Sequence, residues 1–134
     1  MERHGEDPKI KGFYNLFDEM EVIKEMVTRF VGSGNQSLGI ICKTQRQANE
    51  LYEKIKLPRV HLLTPESTSF SSGVIVTTVH LAKGLEFDEV IVPHVSTFNY
   101  KSDIDRRMLY IACTRAMHKL TLTHEKERSV FLNW

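Results

Sequence analysis

Cysteine is scarce: the 134 residues hold two, Cys42 and Cys113. They lie too far apart for a zinc or C-x-x-C redox spacing, and each sits in an apolar run. They read as buried free thiols, which fits a reducing, cytoplasmic setting. Long hydrophobic runs are also missing. Nothing approaches a membrane span, and the charged start "MERHGEDPK" has no signal-peptide core, so no membrane role is expected. Neither sign of charge dominates, since 18 Lys and Arg face 17 Asp and Glu for a formal net charge of +1. That excludes a broad basic face and an acidic solvating tail, and any contact with a polyanion has to be local. Finally, no glycine-rich phosphate loop occurs, of either the G-x-x-x-x-G-K-[ST] or the G-x-G-x-x-G kind. A domain that bound nucleotide unaided would normally show one after an early strand.

What is present is an alternation of short apolar strands with amphipathic helices, without internal repeats. It predicts one α/β domain with a mainly parallel sheet. Strands are expected at "KIKGFY" (9–14), "LGIIC" (38–42), "RVHLL" (59–63), "VIVTT" (74–78), "EVIVP" (89–93) and "KLTLT" (119–123). A helix over "DEMEVIKEMVTRFV" carries Val22, Ile23, Met26, Val27, Phe30 and Val31 at helical spacing, with Asp18 and Glu21 as a capping box and Gly32 and Gly34 as the stop. Thr44 and Gln47 make a second capping box, ahead of a face of Ala48, Leu51, Tyr52 and Ile55. "DIDRRMLYIACTRAM" reads as a helix capped by Asp103. Residues 64–73 read as a Ser/Thr-rich loop, residues 1–8 as a flexible lead-in to a domain over 9–134, and "HEKERSVFLNW" stays unassigned.

Ligands of open α/β sheets bind at the carboxyl ends of strands. Three polar groups are expected there: Lys43 after "GIIC", the "TVHLAKGLEF" turn after "VIVT", and Arg115 beyond the next helix. The order Lys83-Gly84 is not that of a Walker loop. A tight turn with solvated charges is the plain alternative.

These stretches resemble a known family. "VTTVHLAKGLEFDEVIV" resembles motif V of the UvrD-like superfamily 1 DNA helicases, "DRRMLYIACTRAMHKLTLT" resembles their motif VI, and "LGIICKTQRQANELYEKI" is similar to motif IV. "LYIACTRAMHKL" is most like the RNA-polymerase-associated helicases of Gram-positive bacteria. The resemblance implies a RecA-like (P-loop NTPase-like) three-layer domain without its own Walker A loop, the second of two motor domains. ATP with Mg²⁺ would then bind between it and a first domain that carries the Walker loop. Partners would be that first domain, single-stranded DNA, and RNA polymerase or repair proteins.

The resemblance also implies residue roles. Arg115 would be the arginine finger, a planar, permanently charged fork suited to a γ-phosphate; the alternative is an arginine that favours its helix C-terminus. Lys43 would be a second γ-phosphate contact where relatives carry arginine, with Cys42 in place of the usual stacking aromatic. Glu86 would accept a hydrogen bond from the ribose, Gly84 would let backbone approach the phosphates, and Lys83 would touch the nucleotide or an acid of the first domain. Thr78 and His80 would contact single-stranded DNA, and Phe98 and Tyr100 would stack on bases or serve the core. Asp105, Arg106 and Arg107 are expected to form an ion pair within the domain, with interdomain coupling as the alternative. No metal ligands are expected in this domain. The short interval between "RVHLL" and "VIVTT" departs from the many relatives that carry an accessory domain there. The competing reading is a stand-alone RecA-like module that binds protein or nucleic acid without ATPase activity.

Overall fold

The computed structural model describes residues 7–67 and 73–133. The expected flexible lead-in falls outside these up to residue 6, and so does the middle of the Ser/Thr loop, 68–72. Strands β1 (Lys9–Phe13), β2 (Ser37–Cys42), β3 (Val60–Leu62), β4 (Gly73–Thr78), β5 (Phe87–Val92) and β6 (Ala116–Glu125) form one sheet. Its order is β1-β6-β5-β2-β4-β3, and every strand pair is parallel. A parallel sheet is buried on both faces, which is why β2 and β4 read as continuous apolar runs.

Helices α1 (Leu16–Val31) and α2 (Gln45–Ile55) cover one face. Met20, Ile23, Val27 and Phe30 of α1 and Ala48, Leu51 and Ile55 of α2 pack there on Leu38, Ile40, Val74, Val76 and Ile91. The other face is covered by α3 (Val79–Ala82), α4 (Asp103–Cys113) and a 3-10 turn at Val130–Leu132. The result is three layers with two cores, as the alternation predicts. Gly39 makes room across β2 and β5, because a Cβ there would lie 2.7 Å from the Phe87 ring. Among the described residues, no helix is long and apolar enough to cross a membrane.

Helix starts differ from expectation by one to three residues. Asn15, not Asp18, caps α1, its side chain taking the Asp18 N–H at 2.9 Å. Ser102, not Asp103, caps α4, and Asp105 completes a true capping box by accepting the Ser102 N–H. Thr44 does cap α2, but the Gln47 amide reaches Asn99 Oδ1 at 2.9 Å, so only half of that box forms. Helix α4 stops at Cys113, short of Met117, because Ala116 already joins β6 beside Phe87 of β5.

Candidate functional site

Parallel strands place each loop on a definite edge of the sheet. The segment from Thr78 to Phe87 leaves the carboxyl end of β4, makes the single turn of α3, and returns to the amino end of β5. Its two ends therefore lie on opposite edges. Arg115 stands just before β6, so it belongs to the amino edge and not to the carboxyl edge expected for it. There it meets the end of the same segment: the Phe87 N–H donates to the Arg115 carbonyl at 2.9 Å, and Arg115 Nη1 donates to the Leu85 carbonyl at 3.3 Å. Lys83, Gly84 and Glu86 are exposed at this corner. Gly84 has φ +85, a left-handed value that favours glycine, and among the described residues no atom beyond its chain neighbours lies within 4 Å of where a Cβ would sit.

The Arg115 guanidinium is held by two further bonds, Nε to the Ile111 carbonyl at 3.3 Å and Nη2 to Thr114 Oγ1 at 3.2 Å. A guanidinium has five N–H donors. Three are used here, and the two that remain sit one on each Nη. The guanidinium thus takes one C-terminal carbonyl of α4, that of Ile111, and still has one N–H on each Nη to offer. Its three bonds are at the long, weak end of the range.

Lys43 does not join this corner. Its Nζ lies 2.8 Å from Asp105 Oδ1 and 2.6 Å from the Asn99 carbonyl, and 5.8 Å from the centre of the buried Tyr100 ring. Burial pushes the Asp105 carboxyl up, but the N–H groups of Lys101 and Ser102 and the Lys43 ammonium outweigh this and hold it well below its usual value. Lys43 is therefore neutralised at the first turn of α4, whereas the Arg115 guanidinium is fixed at the last. An 11-residue helix is about 16 Å long. The two cations cannot converge on one phosphate in this domain, which corrects the expectation for Lys43. The ion pair expected of Asp105 is present; Arg106 and Arg107 are exposed.

Two other expectations change. Tyr100 is 0% exposed, packed under α4 in the core, and is closed to a stacking base. Thr78 is buried and its hydroxyl caps α3, accepting the Leu81 N–H at 3.2 Å. His80 is exposed on α3, and Phe98 is 83% exposed in the loop after β5. Cys42 and Cys113 are both buried. Among the described residues, no three His, Cys, Asp or Glu side chains are placed to hold a metal.

Sequence reasoning missed a second buried polar group. Glu19 of α1 is 0% exposed and accepts bonds from Thr123 Oγ1 (2.6 Å) and the His94 N–H (2.9 Å), with His94 Nδ1 at 3.3 Å. Burial raises its pKa, and the His94 and Thr123 bonds with the His94 charge bring it below 4.5. This carboxylate holds His94 at a positive φ of 60° and so shapes the loop that carries Phe98. Asn99 Nδ2 continues the chain of bonds to the His94 carbonyl at 2.9 Å. Glu19 stands four residues before Ile23 and eight before Val27, so helical spacing puts it on the buried face of α1. Its partners, 75 and 104 residues away, are not legible locally.

Comparison with known proteins bears on the fold. Residues 73–123 match the family described as UvrD-like helicase C-terminal domain. The crystal structure of the C-terminal domain of a possible DNA helicase from Lactobacillus plantarum WCFS1 superposes with a TM-score of 0.85 at 30% identity, covering 97% of this chain and 81% of that one. The C-terminal domain of the DEAD-box protein Dbp5 shares the fold at a TM-score of 0.62 and 19% identity, over 90% of this chain and 77% of that one. ATP-dependent DNA helicase PcrA of Staphylococcus aureus (strain Mu50) is 36% identical over 72 residues, which is 45% of this chain and 10% of that protein. The chain thus spans about a tenth of the curated relative it matches. With a wholly parallel three-layer fold of the RecA-like helicase type, the chain belongs to the UvrD-like helicase C-terminal domain family.

Proposed function

We propose that this domain, residues 9–134, is the second motor domain of an ATP-dependent DNA helicase or translocase. It completes a nucleotide site whose Walker loop and Mg²⁺ ligands belong to a first RecA-like domain of the same protein. The observation that carries this reading is the amino-edge corner, where Arg115 is bonded to the Leu85–Phe87 backbone beside exposed Glu86 and positive-φ Gly84. The corner suits ATP. The Gly84 backbone leaves open space at its Cα, Glu86 offers an acceptor to a ribose hydroxyl, and Arg115 offers two N–H donors to phosphoryl oxygens. Lys83 is close enough in sequence to approach the same ligand.

Preformed positive charge is worth most where charge develops in the transition state, so Arg115 acts as the arginine finger. Its carbonyl and side-chain bonds fix it against α4 and the 78–87 segment, whose other end holds His80 at the carboxyl edge. Movement of the corner on closing and opening of the cleft is thereby transmitted to the nucleic-acid side, as a hinge-type cycle requires. His80 and Phe98 grip single-stranded DNA there. Repair proteins or RNA polymerase are the partner classes that fit a remodelling motor. DNA-stimulated ATP hydrolysis by the complete protein tests the reading. Glu86→Ala should raise the KM for ATP, and His80→Ala should raise the DNA concentration needed for stimulation. A complete protein that hydrolyses no ATP would overturn it.

A further inference from the structure

The α1 side of the sheet is apolar over β2 and β4 but not over β1 and β6. There Lys9, Lys11, Lys119 and Thr121 line a cleft under the second half of α1, while Ile10, Leu120 and Leu122, which alternate with them, pack in the opposite core. A parallel sheet normally buries both faces under apolar side chains. Here a cleft of about 300 Å³ opens between helix and sheet instead. Four cations line it, Lys9 and Lys11 of β1, Lys119 of β6 and Arg29 of α1, and Glu89 of β5 is the acid in its wall. Glu89 stands in register with Lys119, yet its carboxylate accepts from Asn35 Nδ2 at 2.7 Å. Lys11 and Lys119 form no ion pair with a described residue. Arg29 has Glu25 at 4.0 Å, a weak pair between two exposed side chains. Glu125, the next acid along β6, lies beside Phe13 towards the carboxyl edge and outside the lining.

We propose that this cleft binds a diphosphate group, either free or as the phosphate tail of a nucleotide. Lys9 is in register with Thr121, so it lies diagonal to Lys119, about 8 Å away at Cα, and about 7 Å from Lys11. Like charges inside the screening length of roughly 10 Å repel, and an anion between them relieves that repulsion. Ammonium groups take phosphate oxygens as point charges, and a guanidinium takes them as a planar fork. Four positive charges against one negative suit a multiply charged phosphate better than a single carboxylate. The volume falls at the lower end of small-ligand sites, roughly 300–1,000 Å³, and suits a small molecule rather than a helix about 10–12 Å across. Lysines also guard edge strands against pairing, and β1 is an edge. That role explains neither Lys119, on the second strand, nor Arg29, on the helix. The cleft is on the α1 side of the sheet, whereas Arg115 is bonded to Ile111 and Leu85 on the α4 side. The proposal therefore goes beyond the ATP reading and does not rest on it.

The test is isothermal titration calorimetry of the 134-residue chain, in magnesium-free buffer, with inorganic pyrophosphate, ADP and citrate. Pyrophosphate should bind, and Lys11→Ala and Lys119→Ala should each weaken it roughly tenfold. Glu89→Gln keeps an acceptor for Asn35 and should tighten pyrophosphate binding a few-fold, a gain that loss of folding cannot produce. Arg115→Ala, and Lys54→Ala on α2, should leave it unchanged. ADP binding that depends on Lys119 and not on Arg115 makes a nucleotide tail the source of the diphosphate. Pyrophosphate binding without such ADP binding makes the source a free diphosphate. Citrate that binds as tightly as pyrophosphate overturns the phosphate assignment. Pyrophosphate affinity that ignores Lys11→Ala and Lys119→Ala, or falls with Arg115→Ala instead, overturns the site. So does the absence of pyrophosphate binding, which would leave the four cations as solvated groups.

Discussion

Arg115 has a structural place and, on the reading proposed above, a functional one. Its three long bonds fix the guanidinium against Ile111, Thr114 and Leu85, and two donors remain for a ligand. Tyr100 shows the opposite, a residue whose type suggests stacking but whose place is the core. Its hydroxyl is buried and has no partner among the described residues, and burial pushes its pKa up. Tyr100→Phe removes an unsatisfied polar group, so urea denaturation should find it unchanged or up to about 1 kcal/mol more stable, with DNA affinity unaltered. A loss of DNA affinity would return Tyr100 to the binding surface. Glu19 carries a pH prediction. Its folded pKa is depressed, so its stabilising contribution is present above its ordinary value of 4.5 and is lost as pH falls through the folded value. Wild type should therefore lose stability on acidification below about pH 4.5, and Glu19→Gln should be less stable at pH 7 with a flatter profile there. Parallel profiles would mean that the carboxylate is not the group responsible.

At the scale of elements, the strands and helices were legible because a parallel sheet writes its burial directly into apolar runs, as in "LGIIC" and "VIVTT". Caps were legible in kind but slipped in register, since runs such as "KSDID" and "YNLFD" offer several oxygen-bearing side chains and only the chain's entry angle selects one. Ser102→Ala should cost about 1 kcal/mol through loss of the α4 cap, measurable by chemical denaturation. Asp103→Ala should cost less, contrary to the expectation that Asp103 is the cap. The edge on which Arg115 falls was legible but misread. A residue between a helix and the next strand of a parallel sheet lies at the amino edge, whether α4 ends at Cys113 or runs on through "TRAM". Lys43 misled for a different reason, because its partner Asp105 lies 62 positions away across the fold. Gly39→Ala should be destabilising by roughly 1–3 kcal/mol, as the Phe87 ring of β5 has no room for the added methyl.

For the whole molecule, the reading proposed above puts its two functions at opposite edges of one sheet. The amino edge holds Arg115, Gly84 and Glu86, and the carboxyl edge holds His80 and Phe98. The 78–87 segment is the covalent link between them, and α3 packs it against α4. On this account the isolated domain folds but hydrolyses no ATP. The most direct test is single-turnover ATP hydrolysis by the complete protein, comparing Arg115→Ala with Lys43→Ala. Arg115→Ala should slow the chemical step by about 10³–10⁵ while ATP affinity changes only a few-fold, and Lys43→Ala should slow it less than about tenfold. Hydrolysis that survives Arg115→Ala, or falls equally in both variants, would contradict the assignment of the nucleotide corner.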